Sequence, residues 1–282
     1  MSADAQPISA YLARSPHARV LGHVDLGFGC SATVWRNRHA RITYDAPQGH
    51  TLSFYTQGGR GTRRLDSGAG PGWTGAVCLM PQGQPSSWEI TESFEFVHLH
   101  LPDDELRRNF AEICDRDARL MQLADLTYIE APQLALPFRA LHAATQAGAR
   151  LAAEGAMHAL LGEVFADPRC SAGQTANVRG GLAPRRRRLV LDYIEDNLAQ
   201  PLHLHDLARL AGLSAFHFQR SFRASCGVSP HRWIMARRIA LAGRRLAAGA
   251  ALAQVALDCG FDSQSHFTRA FKALMGITPG RY

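Results

Sequence analysis

Two stretches of the last hundred residues carry side chains suited to one kind of chemistry. His217, Gln219, Arg220 and Arg223 lie close together in the first, and Gln264, Ser265, His266, Thr268, Arg269 and Lys272 in the second. Gln and Arg offer paired donors and acceptors that match base edges in a major groove, and Arg and Lys bind phosphates. Other chemistry is less well provided for. His98 and His100 stand two apart and share a strand face, a spacing open to a metal but more common in plain structure. Tyr55, Trp73, Trp88 and Phe96, with those two histidines, are candidates to line an apolar small-ligand pocket. His39, Arg60, Arg63 and Arg64 are candidate contacts for an anionic effector. Cysteines stand at 30, 78, 114, 170, 226 and 259, none within three residues of another, so neither a redox pair nor a zinc finger can be written. No nucleophile motif is present, and the expectation is a non-enzyme with no catalytic residue, metal or cofactor.

The elements that must position the first group follow from an internal repeat. Leu204, Ala208 and Gly212 recur 48 residues later as Leu252, Ala256 and Gly260. His217, Phe218, Arg220, Phe222, Gly227 and Pro230 recur 49 residues later as His266, Phe267, Arg269, Phe271, Gly276 and Pro279. The one-residue slip falls in a turn, where insertions cost least. Each copy reads as helix–turn–helix: a short apolar helix, a glycine for the sharp turn, and a capping residue, Ser214 in one copy and Asp262 or Ser263 in the other. The second helix then buries a phenylalanine pair spaced i, i+4, Phe218 with Phe222 and Phe267 with Phe271, which leaves the polar residues outside. Between the copies, 230–246 reads as one amphipathic helix, with Trp233, Ile234, Ile239 and Leu246 inward and Arg237, Arg238, Arg244 and Arg245 outward. Such a rod would fix the two second helices at one separation. At about 34 Å they would enter successive major grooves on one face of DNA.

The front of the chain has a different texture. Residues 18–101 hold short apolar runs, among them 50–56, 76–80 and 94–101, broken by Gly- and Pro-rich stretches, which predicts a small sandwich or barrel. Residues 103–114 predict a helix with Leu106, Phe110 and Ile113 on one side. Residues 134–165 predict two helices that break near Gly148, with Leu141, Leu151, Leu160, Leu161 and Val164 at helical spacing. They either cover the sheet or form a dimer interface. The small, polar stretch 170–184 has linker composition.

Charge divides at the same place. The whole chain of 282 residues carries +7, but residues 1–168 carry −4 and residues 185–282 carry +9. A basic half beside an acidic one is the mark of a polyanion-binding module. No run of 18 apolar residues and no uninterrupted apolar leader core occurs, so the expected setting is the cytoplasm, without a membrane partner.

Residues 188–282 resemble the tandem helix-turn-helix domain of AraC/XylS-type bacterial transcription regulators. The resemblance rests on Leu207-Ala-Arg-Leu-Ala-Gly-Leu-Ser214, His217-Phe-Gln-Arg-Ser-Phe222, Gly227-Val-Ser-Pro230, Val255-Ala-Leu-Asp-Cys-Gly-Phe-Asp-Ser263, His266-Phe-Thr-Arg-Ala-Phe-Lys272 and Gly276-Ile-Thr-Pro279. It implies that Phe216, Gln219 and Arg220 face DNA in the first copy, and Gln264, Ser265, His266, Thr268 and Arg269 in the second. It also implies a cupin-like N-terminal domain for effector binding and dimerisation. The expected fold is therefore α+β in two domains: a cupin-like β-barrel with flanking helices over 1–168, a linker over 169–184, and an all-α tandem helix-turn-helix domain over 185–282. The implied partners are a double-stranded DNA operator, a small-molecule effector, a second copy of the chain, and RNA polymerase if the protein activates. Two alternatives compete: a cupin-type metalloenzyme with a DNA-binding tail, and a nonspecific nucleic-acid binder. Against the first, Ser86 and Ser87 stand where the second cupin motif would place a histidine near Pro85.

Overall fold

The computed structural model describes residues 6–171, 178 and 180–282. By its contacts the chain divides into two compact units, Met1–Leu106 with Gln122–Gly173, and Arg107–Met121 with Gln174–Tyr282.

The first unit is built on nine strands. They are β1 (Ala18–Gly27), β2 (Cys30–Asn37), β3 (Ala40–Tyr44), β4 (His50–Gln57), β5 (Thr62–Arg64), β6 (Val77–Met80), β7 (Ser86–Ile90), β8 (Phe94–Leu101) and β9 (Leu126–Ile129). They form a six-stranded sheet ordered β1-β2-β8-β4-β6-β9 and a three-stranded sheet ordered β3-β7-β5. Among the described residues neither sheet is closed, so the expected barrel is instead a pair of open sheets. The physical reason is in the pairing: β1 and β9 remain edges of the large sheet, and the tryptophan-bearing strand β7 pairs with β3 and β5.

Alternation along β8 decides what the two faces of the large sheet bury. Val97 pairs with Val34 and Phe54, and Leu99 with Ala32 and Leu52, which makes one continuous apolar face. Helix α3 (Pro132–Gln146) packs on it, with Phe138 stacked on Phe54 at 5.2 Å. The other face carries Phe94, Phe96 and His98 beside Asn37, Trp35, Tyr55 and Ser53, and it meets Trp88 and Ile90 of the small sheet. Helix α1 (Ile8–Arg14) adds Ile8 and Leu12 to this second core.

Helices α2 (Asp103–Cys114) and α4 (Arg150–Ala166) fall where helical spacing predicts, and α3 and α4 break at Gly148 with φ +64°. Of the helix positions expected inward, Leu106, Phe110, Leu141, Leu160, Leu161 and Val164 are buried. Ile113 and Leu151 are exposed, each lying off the face its neighbours bury. No described helix is long and apolar enough to cross a membrane.

The second unit is helical: α5 (Pro184–Asp196), α6 (Leu204–Leu210), α7 (Ala215–Cys226), α8 (Pro230–Ala247), α9 (Leu252–Asp258) and α10 (Gln264–Met275). Helix α8 packs on both α7 and α9, as a rod joining two copies must. Of the linker expected over 169–184, residues 172–177 and 179 lie outside the described residues. Residues 107–121 group with this helical unit, although sequence texture places them in the front half. The ties are polar: Ser225 Oγ donates to Asp117 at 2.8 Å, and the Asp115 carboxylate takes Arg187 at 2.9 Å and also Arg188. Ala111 and Ala118 complete the packing inside the same core as Leu207, Phe218, Phe222 and Trp233.

All six cysteines are free thiols, and all but Cys114 are buried. Burial pushes the Cys78 and Cys226 thiols up to about 12, which removes the thiolate that reactivity needs.

Candidate nucleic-acid interface

Both second helices are built by the same local rules. Ser214 caps α7 by accepting the His217 N–H at 3.4 Å, and Ser263, not Asp262, caps α10 by accepting the His266 N–H at 3.1 Å. Gly212 and Gly260 turn the chain at φ +65° and +75°, the left-handed region that favours glycine. The i, i+4 phenylalanine pairs are fully buried, at 5.6 Å between ring centroids for Phe218 and Phe222 and 5.5 Å for Phe267 and Phe271. Each helix end closes on a glycine, Gly227 and Gly276, whose N–H bonds back to Arg223 and Lys272 respectively.

This geometry presents the expected polar residues outward. On α7, Phe216, His217, Gln219, Arg220 and Arg223 are exposed, Phe216 at 71%. On α10, Gln264, Ser265, His266, Arg269 and Lys272 are exposed, and Thr268 is half-buried. A phenylalanine exposed to that extent is not held in the unit's own core. Arg220, Arg223, Arg269 and Lys272 make no ion pair among the described residues.

The connecting helix differs from its sequence expectation. Arg244 and Arg245 are exposed, Arg245 pairing with Asp258 at 2.5 Å, but Arg237 and Arg238 do not face freely outward. Arg237 pairs with Glu195 at 2.7 Å and with Glu112. Arg238 donates to the carbonyls of Leu198 at 3.0 Å and Gln200 at 2.7 Å, and its guanidinium lies 6.0 Å from the centroid of Phe261. Burial, and then the nearby Arg244 and Arg108, lower the Arg237 pKa from its ordinary value. These two arginines stitch elements together. A helical wheel cannot tell such residues from a solvated face, because their partners lie about 40 or more residues away.

The residues expected to bind an effector separate into two groups. Tyr55, Trp88, Phe96 and His98 line a space between the two sheets, of about 30 Å³. Trp73 is 38% exposed and lies against Tyr128, and His100, though it shares a strand face with His98, does not reach that space. Asn37, Tyr44, Ser53, Cys78 and Met80 also line it, unmarked by any motif but placed there by strand alternation. His98 Nδ1 is buried without a hydrogen-bond partner, and burial, then the neighbouring His100, depresses its pKa to about 3. Of the basic candidates, His39, Arg60 and Arg63 are exposed, whereas Arg64 is buried and committed to Asp125 at 2.6 Å and Asp66 at 3.0 Å. Among the described residues no group of three or more His, Cys, Asp or Glu is arranged to hold a metal.

A family profile described as a helix-turn-helix domain matches residues 207–282, wholly inside the helical unit. The Transposon Tn10 TetD protein of Escherichia coli is 42% identical over 94 residues, 33% of this chain and 68% of TetD. The HTH-type transcriptional activator AarP of Providencia stuartii is 38% identical over 94 residues, 33% of this chain and 70% of AarP. The chain belongs to the AraC-type family of helix-turn-helix transcriptional regulators. The probable transcriptional regulator LumQ of Photobacterium leiognathi is 37% identical over 95 residues, a stretch that is 33% of this chain and only 38% of LumQ. The likeness to these AraC-type relatives thus covers about a third of the chain.

Proposed function

We propose that the AraC-type unit binds duplex DNA sequence-specifically, with α7 and α10 laid into successive major grooves. The observation that carries this reading is the doubled stripe: two capped helices expose a His and an Arg at equivalent places, His217 with His266 and Arg220 with Arg269, each beside a Gln of its own, with the arginines unneutralised. Gln219, Arg220, Gln264, Ser265, His266, Thr268 and Arg269 read base edges, Phe216 makes an apolar base contact, and His217, Arg223 and Lys272 take phosphates. The partners on this reading are an operator duplex, a second copy of the chain, and RNA polymerase where the bound complex activates. The sheet unit senses a small molecule at the inter-sheet space between Tyr55, Trp88, Phe96 and His98. That space now has room for about one or two water molecules, so an effector must part the lining, which gives binding a means of changing the unit's shape.

In-vitro selection of duplexes bound by the full chain tests the DNA reading. The expected result is an enriched sequence from which Arg220→Ala or Arg269→Ala each removes about 1–3 kcal/mol, with discrimination relaxed at one position. A selected pool no different from random, or unchanged affinity in both variants, would overturn it.

A further inference from the structure

A groove of about 630 Å³ runs along the exposed face of α7. One wall is the reading stripe itself: Phe216, Gln219, Arg220 and Arg223. Arg107 and Arg119 also line it, from the 107–121 segment that groups with the helical unit. Every charged side chain lining the groove is an arginine.

The two added arginines are held in place. Arg107 Nη1 donates to the carbonyls of Ala118 and Met121, both at 3.1 Å. Arg119 grips Asp117 through Nε at 2.9 Å and Nη2 at 2.8 Å, and the same carboxylate accepts the Ser225 hydroxyl of α7. An unbroken chain of hydrogen bonds therefore sets Arg119 relative to α7. Arginines ordered in advance lose little side-chain entropy when an anion arrives. The groove is open along its length and continues into the base-reading residues, which suits an extended polyanion and not an enclosed small anion.

We infer that Arg107 and Arg119 contact the DNA backbone beside the groove that α7 enters, so that a segment from the front half of the sequence is part of the DNA interface. This rests on the DNA-reading function proposed above. Phosphate contacts add affinity without sequence preference, whereas Arg220 in the stripe discriminates. The segment acts as a second rail for the strand whose bases α7 reads.

The test uses the full chain, a duplex recovered by selection with it, and a scrambled duplex of equal length, titrated between about 50 and 200 mM salt. Arg107→Gln and Arg119→Gln should each weaken both duplexes by the same factor and flatten the log–log salt slope by about 0.9 per lost phosphate. Arg107→Lys should restore the slope, since it keeps the charge and gives up the fork that a purely structural role would need. Thermal melts of each variant confirm the fold, and a fold lost in Arg107→Gln leaves Arg107→Lys and Arg119→Gln to decide. Unchanged slopes, a loss confined to the selected duplex, or tighter binding (the sign of a segment that blocks DNA) would overturn the inference. Failure of the wild type to prefer its selected duplex would instead overturn the DNA reading itself.

Discussion

The two helix-turn-helix copies share a blueprint and differ in what surrounds them. In the first, α6 packs on α5 and α7, and α7 packs on α8 and on the 118–120 turn. Its Phe218 and Phe222 sit in a core that also takes Val190 and Ile194 of α5, Trp233 of α8, and Ala111 and Ala118. In the second, α9 packs on α8 and α10, and α10 closes against the 279–281 turn, where Tyr282 meets Phe271 at 5.3 Å. The same local sequence rules thus make one helix-turn-helix copy embedded in a shared core and another held at the end of a rod. Stability is not uniform across such a unit, and local opening follows the less embedded parts.

Removal of an equivalent phenylalanine from each copy is the strongest way to break that comparison. Phe222 and Phe271 are both fully buried, and truncation of a buried phenylalanine costs about 3–5 kcal/mol. Phe222→Ala should lower the stability of the whole helical unit, because Trp233 and the α5 contacts share its cavity. Phe271→Ala should melt α9 and α10 first and leave amide protection in α5 to α7 near wild type. Equal loss of protection in both halves after Phe271→Ala would show one cooperative core and end the distinction.

At the turns the contrast reverses. A Cβ at Gly260 would collide with the Leu198 carbonyl and approach the Arg238 guanidinium to 2.7 Å, whereas at Gly212 the nearest outside atom is Arg186 Nη2 at 3.8 Å. Gly212→Ala should cost about 1–2 kcal/mol for its left-handed backbone alone. Gly260→Ala carries the same strain and displaces the chain between α5 and α6, so it should cost more. Denaturant titrations of the two variants compare them directly, and an equal loss would mean that the close approach at Gly260 relaxes at no cost.

What could be seen in the sequence was whatever is local. Glycine turns, serine caps and the i, i+4 phenylalanine pairs act within a dozen residues, so both copies were legible with nearly their observed ends. Alternation along β8 similarly put Phe96 and His98 on one inner face. The open edges of the two sheets, the roles of Arg237 and Arg238, and the grouping of 107–121 depend on partners far along the chain, and no periodicity reports them. Helix α5 carries no repeat or motif to mark it: of the four arginines at 185–188, Arg187 is buried against Asp115 while Val190 and Ile194 fill the core.

The smallest expected effect isolates the tie that only the first copy has. Burial alone would raise the Asp117 carboxyl, but the hydrogen bonds from Arg119 and Ser225 outweigh it and hold the group below its ordinary 3.8. A carboxyl depressed in the folded state stabilises it above the unfolded value, and that contribution is lost as pH falls through the folded one. The first copy should therefore weaken below about pH 4, since protonated Asp117 no longer attracts Arg119 as a charge. Asp117→Asn should remove this part of the acid sensitivity while lowering stability at neutral pH, where the ionised tie is intact in the wild type. Helix signal followed in urea from about pH 6 down to about pH 3 provides the comparison. Parallel pH profiles for wild type and Asp117→Asn would mean that the carboxylate adds nothing to the anchoring of α7, and the first copy would then owe its embedding to the apolar core alone.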